Sequence, residues 1–238
     1  LTGAGTLNKA GSGNLELTGN STNTGPIDVS AGTLTFSGAG ATDSTDIDVA
    51  TTANLNSDGG AFATSTAISL AGTADLALTG DESIARLDTS AASGVDLNGA
   101  RLTLNSGASA MAGVISGSGG VTNAGTSAAV MTANNTYTGA TRVTGGSLAI
   151  TGAGKVASPE VAVSGGTLIT DSDALTAAVT VAVSGSGTFT SSGSDSYTGI
   201  TQSGGTINGS GVQNLTGGFV QSGGTTAGTV DINAATFT

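Results

Sequence analysis

Carboxylates are the one reactive side-chain class that recurs in this 238-residue chain, with 16 Asp and Glu against 5 Lys and Arg. There is no His and no Cys. A Ser-His-Asp or Cys-His nucleophile, a thiolate metal site and a disulfide are therefore all ruled out. Carboxylates by themselves can hold a hard cation, or work in pairs on a glycosidic bond. The nearest sets in sequence are Asp43, Asp46 and Asp48, and Asp171 with Asp173. Asp28 and Asp48 each stand between apolar residues, and if they stack they form a weak candidate pair for Ca²⁺. Oxygen-only ligation needs six or more donors, however, and the repeated GGxGxDxUx pattern is missing. A solvated acidic face is the stronger reading. Polysaccharide chemistry would need aromatic platforms or clustered bases. Trp is 0, Tyr is 2 and the Arg residues are scattered. Gly154-Lys155 is not a phosphate loop, because Ala149 and Val156 occupy the flanking motif positions. No catalytic residue, cofactor or resident metal is expected, and the chain does not read as an enzyme.

A formal charge of −11 disfavours nucleic acid and anionic membrane as partners, since both call for a basic surface. No apolar run of 18 residues is present, so no membrane-inserted helix is expected. No signal peptide is evident. The composition is extended-strand and turn material: 41 Gly, abundant Thr, Ser and Val, and 3% aromatics. The chain opens on LTGAGTL and closes on ATFT in one repeating style, and reads as a piece of a longer protein.

The repeat is short: an apolar residue, one spacer, a second apolar residue, a Ser/Gly turn, then Gly-Thr/Ser-apolar. It appears as IDVSAGTL from Ile27, IDVATTANL from Ile47, ISLAGTADL from Ile68 and VDLNGARL from Val95. It continues as TRVTGGSL from Thr141, VAVSGGTL from Val161, VAVSGSGTF from Val181, ITQSGGTI from Ile200 and FVQSGGTT from Phe219. The steps are 20, 21, 27, 46, 20, 20, 19 and 19 residues. Because strand side chains alternate, Val161, Val163 and Leu168 share one face, which a single unit cannot bury. Stacked coils can. The expectation is an all-β, right-handed parallel β-helix (a single-stranded β-solenoid) of about 20 residues per coil and roughly 11–12 coils. Residues 1–238 form one continuous helix, with irregular or longer coils around 80–130. The 46-residue step reads as two longer turns. A final VDINAATF at Val230 falls off the beat, and DESIARL, residues 81–87, is the best place for a short helical turn. Inward positions include Ile27, Val29, Leu34, Val143, Leu148, Val161, Val163, Leu168, Val181, Val183 and Phe189.

Two longer strings, residues 5–36 and 117–152, align without a gap in their C-terminal halves, NSTNTGPIDVSAGTLTFSG against NNTYTGATRVTGGSLAITG. They resemble the passenger-associated repeat of bacterial autotransporters, the type V secreted proteins. Lys9, Gly11, Leu15, Leu17, Asn20, Gly25, Val29, Gly32 and Leu34 match the family pattern in the first copy. Asn134, Tyr137, Gly139, Thr141, Val143, Gly146 and Leu148 match it in the second. The first copy departs at Asn23, where the pattern has Tyr, and the second at Asn123, where it has Lys. A third, eroded copy is SDSYTGITQSGGTI, residues 194–207. The resemblance implies a β-helical passenger on the surface of a Gram-negative bacterium, attached to a C-terminal outer-membrane barrel that this chain does not contain. A disulfide-free chain suits threading across a membrane.

Gly25, Val29, Gly32, Leu34, Tyr137, Gly139, Val143, Gly146, Leu148, Gly166 and Leu168 are thus expected to be structural. So are Gln202 and Gln221, one coil apart, whose amides should point inward and stack into a ladder. The leading functional expectation is adhesion, to other copies of the chain or to a host or bacterial surface ligand. A passive stalk displaying another domain is the alternative. An ice-binding solenoid is less favoured, because the Thr-x-Thr ranks at Thr33–Thr35 and Thr188–Thr190 do not recur coil after coil.

Overall fold

The computed structural model describes residues 1–176 and 178–238, with Val230 described by its backbone alone. All strand pairs among the described residues are parallel, and partners lie about one coil apart. The result is a β-solenoid of about twelve coils with about 20 residues in each. At about 4.8 Å per coil the rod is roughly 55 Å long.

Three sheets run its length. Sheet 1 stacks Leu7–Lys9, Ile27–Val29, Asp46–Val49, Ala67–Leu70 and Arg86–Thr89, then Ala108–Met111, Ala128–Met131, Ser147–Ile150, Thr167–Thr170 and Thr188–Ser191. Sheet 2 runs from Asn14–Leu17 through Thr33–Phe36, Asn54–Ser57, Asp75–Leu78 and Gly94–Asp96 to Val114–Ser116. It continues with Asn134–Asn135, Lys155–Val156 and Asp195–Tyr197. Sheet 3 begins at Thr2–Gly3, Asn20–Asn23 and Ala41–Thr42. From Glu82–Ile84 it stacks Arg101–Leu104, Gly120–Asn123, Thr141–Val143, Glu160–Val163 and Thr180–Val183.

The core is a set of aligned columns. Leu15, Leu34, Leu55, Leu76, Val95 and Ile115 stack in sheet 2. Val161, Val181 and Ile200 stack in sheet 3. Every inward position named from the sequence is at most 1% exposed. Each fully buried Val, Leu or Ile contributes about 1.5–3 kcal/mol relative to exposure. No coil could collect that stabilisation without its neighbours.

The irregular steps have a simple geometry. Ile27, Ile47 and Ile68 start their units on sheet 1. Val95 starts on sheet 2, and Thr141, Val161, Val181 and Ile200 start on sheet 3. The 27-residue step is one coil plus one strand, and the 46-residue step is two coils plus one strand. This corrects the expectation of longer coils around 80–130. Register partners there, Glu82, Leu102, Val121 and Thr141, keep the ordinary spacing. Only the repeat unit slides, from one corner of the triangle to the next.

DESIARL is not helical. It contributes Glu82–Ile84 to sheet 3 and Arg86–Thr89 to sheet 1, with Glu82, Ile84 and Leu87 buried. VDINAATF belongs to Thr229–Phe237, which pairs with 210–219 across an irregularity between Leu215 and Gly218. That break accounts for its falling off the beat.

Candidate functional site

The repeat residues build corners. In the first copy Val29 lies on sheet 1 and Leu34 on sheet 2. In the second copy Val143 lies on sheet 3 and Leu148 on sheet 1. A side chain at Gly25 would put its Cβ 2.3 Å from the Gly5 carbonyl oxygen, and one at Gly139 would come 2.3 Å from that of Gly119. Gly32 and Gly146 turn the chain at φ of 69° and 60°, the left-handed region that glycine enters freely. At Gly166 a Cβ would meet the Gly145 oxygen at 2.6 Å, and Leu168 stacks on Leu148.

The two departures from the family pattern are compensated locally. Tyr137 is wholly buried, its hydroxyl 2.6 Å from Thr141 Oγ1, and burial pushes its ionisation far above the usual range. Asn23, in the matching place, donates from Nδ2 to the Gly25 carbonyl at 3.2 Å. Lys9 Nζ donates to the carbonyls of Gly11 and Ala31, each at 2.8 Å. Asn123, which replaces it in the second copy, donates to Gly145 O at 2.9 Å.

Gln202 and Gln221 lie one coil apart. Gln202 is fully buried, and Gln221 Nε2 donates to Gln202 Oε1 at 3.0 Å. Gln221 itself is exposed, in the last described coil.

Two buried carboxylates went unremarked in the sequence. Glu82 accepts from the backbone N–H groups of Ala61 and Phe62, at 2.9 and 3.3 Å, and from the Ser57 hydroxyl. Asp195 accepts from Leu175 N at 3.3 Å and from Thr170 Oγ1 at 3.2 Å. Each clasps the coil beneath it by donors 20 and 25 residues earlier. Burial raises both ionisations, that of Asp195 to about 6. The signal was present: Glu82 sits at an inward phase two residues before Ile84.

Outward residues carry the surface chemistry, and one column of sheet 1 changes character along the rod. It begins with Asp28, Asp48, Ser69 and Asp88 in register. It continues as Ala110, Val130, Ala149, Ile169, Thr190 and Asn208. Asp28 and Asp48 border an open groove of about 300 Å³ with Ser30 and Ser69. They supply two carboxylates and no further acidic ligand, and among the described residues no three of His, Cys, Asp and Glu gather as a metal site would require. Asp43, Asp46, Asp171 and Asp173 do not join them. Val130 is 38% exposed, and no charged residue interrupts this column from Ala110 to Asn208.

The family model of the passenger-associated-transport-repeat matches the chain twice, over residues 7–36 and 121–150. No curated protein matches the chain, and no solved structure does. The matched family implies secretion to the cell surface of Gram-negative bacteria. Two such repeats, wound into a continuous parallel β-solenoid, fit an autotransporter passenger domain.

Proposed function

We propose that this passenger segment works by surface contact rather than catalysis, adhering to other copies of itself or to a host or bacterial surface ligand. The carrying observation is the uncharged column from Ala110 to Asn208 on a rod whose formal charge is −11. Two acidic rods repel wherever their charges meet, and least where none are present. The column spans six stacked strands, about 24 Å at strand spacing. Such a strip is smaller than a standard interface of roughly 800 Å² per partner, so each contact is weak and strength comes from numbers.

Sedimentation of the chain over a concentration series tests this. Reversible association that strengthens from low to physiological salt is expected, because salt screens the repulsion. Val130→Lys with Ile169→Lys should abolish it. A monomer at every concentration, or association indifferent to the two lysines, overturns self-contact through this face. A chain that stays monomeric and binds no cell surface favours the second reading, a stalk. That reading rests on the unbroken core, which makes the segment a uniform spacer.

A further inference from the structure

Three corners of the solenoid carry the same device, and one of them is incomplete. At each, an inward polar side chain ends a strand and reaches up to carbonyl oxygens of the coil above, beneath a glycine. Lys9 Nζ reaches Ala31 O under Gly32, where an added Cβ would lie 2.8 Å from the ammonium. Gln202 Nε2 reaches Thr225 O at 3.0 Å under Gly224, where an added Cβ would lie 2.6 Å from the amide nitrogen. Gln202 Oε1 is satisfied as well, by Gln221 Nε2 and Thr226 Oγ1.

Asn123 is the third member, and it is shorter. Its Nδ2 bonds Gly145 O at 2.9 Å and Ser127 O at 3.3 Å. Under Gly146 the nearest atoms to an added Cβ all belong to the Ser127 backbone, and no side-chain donor comes as close as at the other two corners. Asn123 Oδ1 and Ser127 Oγ are both buried without a hydrogen-bond partner, on residues that are 0% exposed. In the first copy Gly13 stands where Ser127 stands here, and the longer Lys9 fills the corner alone.

We propose that one ordered water molecule occupies the corner of Asn123 and Ser127, in the place that Lys9 Nζ and the Gln202 amide fill with protein atoms. An orphaned buried amide oxygen and hydroxyl are costly, and buried waters are found where such groups converge. A water donates to Asn123 Oδ1 and exchanges a hydrogen bond with Ser127 Oγ. It can also reach the Gly125 carbonyl, the counterpart of Gly11 that holds Lys9. A metal cation is the poorer guest, because no carboxylate belongs to the group and stripping an ion of its hydration costs far more than burying a water. The same logic explains why Ser is tolerated at 127: its hydroxyl becomes a ligand of the water instead of an unpaired group.

A crystal structure of the chain at about 1.5 Å tests the assignment, with Asn123→Gln and Asn123→Leu as variants. Density for one water bonded to Asn123 and Ser127 is expected. In Asn123→Gln, which copies the Gln202 corner, the water should be gone and the thermal midpoint unchanged or raised by a few degrees. Asn123→Leu should lower the midpoint by several degrees. A dry corner in the parent structure overturns the proposal. So does an Asn123→Gln midpoint as low as that of Asn123→Leu. A midpoint that rises with K⁺ or Na⁺ in the parent and not in Asn123→Gln also overturns it, in favour of a cation.

Discussion

The first and second repeats share one string and occupy different faces of the rod. Leu34 and Leu148 are aligned partners 114 residues apart, yet Leu34 is on sheet 2 and Leu148 on sheet 1. From Leu34, five coils lead up sheet 2 to Asn135, and two further strands lead to Leu148. The likeness extends well past the repeats. Gly38 N bonds Asp58 Oδ2 and Gly152 N bonds Asp171 Oδ2, both at 2.6 Å. Ser44 and Ser158 each bond the carbonyl two residues on, and Glu82 and Asp195 each clasp the coil beneath. We read the chain as two related modules of about 114 residues, the second turned by one corner of the triangle. What the string encodes is a strand, a glycine turn and a second strand. All three corners accept it, because each asks only for inward apolar residues either side of a tight bend. The surface is free of that constraint. Residues 1–113 carry eleven Asp and Glu against three Lys and Arg, and residues 114–238 carry five against two.

The hardest test of corner equivalence is a charge in the core of each copy. Leu34 stacks between Leu15 and Leu55, and Leu148 between Ala129 and Leu168, both with no exposure. Asp at either place leaves an unpaired carboxylate in an apolar column, and a loss of at least about 4 kcal/mol is expected from each. Because a solenoid couples only neighbouring coils, the damage should be local. Hydrogen exchange should rise near the start of the rod in Leu34→Asp and in mid-rod in Leu148→Asp. A loss below about 1 kcal/mol in one copy and not the other would show that the corners are not interchangeable.

Next in size is the glycine of the bend. Gly32 and Gly146 have the same backbone, but what lies beneath differs. A Cβ at Gly146 would stand 1.9 Å from Ser127 O in a fully buried corner. At Gly32 it would stand 2.4 Å from Gly13 O, in the exposed turn of the first coils, with the Lys9 tip as its other close neighbour. Gly146→Ala should cost about 3 kcal/mol and Gly32→Ala about 1. Equal losses in chemical denaturation would mean that backbone strain alone, and not the coil beneath, sets the requirement.

The period, the strand class and the inward columns were legible because Val161-x-Val163 and its relatives alternate in apolar character over most of the chain. Face identity was not. A unit that fits every corner gives no sign of which corner it fills, so the 27- and 46-residue steps looked like swollen coils. Nor were the clasps of Glu82 and Asp195 legible as such. A carboxylate in an apolar phase makes sense only once the N–H groups of the coil beneath are placed under it. The uncharged column needed register as well, since Ala110, Val130, Ala149 and Ile169 are scattered in sequence and adjacent only when stacked.

The clasps give the modules a shared pH dependence. Burial raises Asp195 from 3.8 to about 6, with the nearby Asp173 adding to the rise and the hydrogen bonds from Leu175, Thr170 and Ala174 opposing it. Burial raises Glu82 from 4.5, with Asp58 adding. A carboxyl whose folded value is raised binds its proton more tightly in the native state. Its contribution is complete below the unfolded value and is lost as pH climbs through the folded one. The thermal midpoint should therefore rise as pH falls from 7.5 to 5. Asp195→Asn should flatten that slope and remove part of the deficit at pH 7.5. A midpoint that falls on acidification would contradict the sign.

The smallest effect belongs to the surface, where the modules differ most. Asp28 and Asp48 face each other in register on sheet 1, and the equivalent outward positions of the second module hold Arg142 and Ala162 on sheet 3. Like charges directly opposite on neighbouring strands destabilise by roughly 0.2–1 kcal/mol, and salt screens them at an exposed site. Asp28→Asn with Asp48→Asn should therefore raise the midpoint by a degree or two at low ionic strength and by almost nothing in 0.5 M salt. Millimolar Ca²⁺ should add no more to the parent than the same ionic strength of NaCl, because two carboxylates beside two hydroxyls fall short of the oxygens the ion takes. A Ca²⁺-specific rise that disappears in the double variant would turn the groove into a metal site. It would also give the acidic module a role that its uncharged partner lacks.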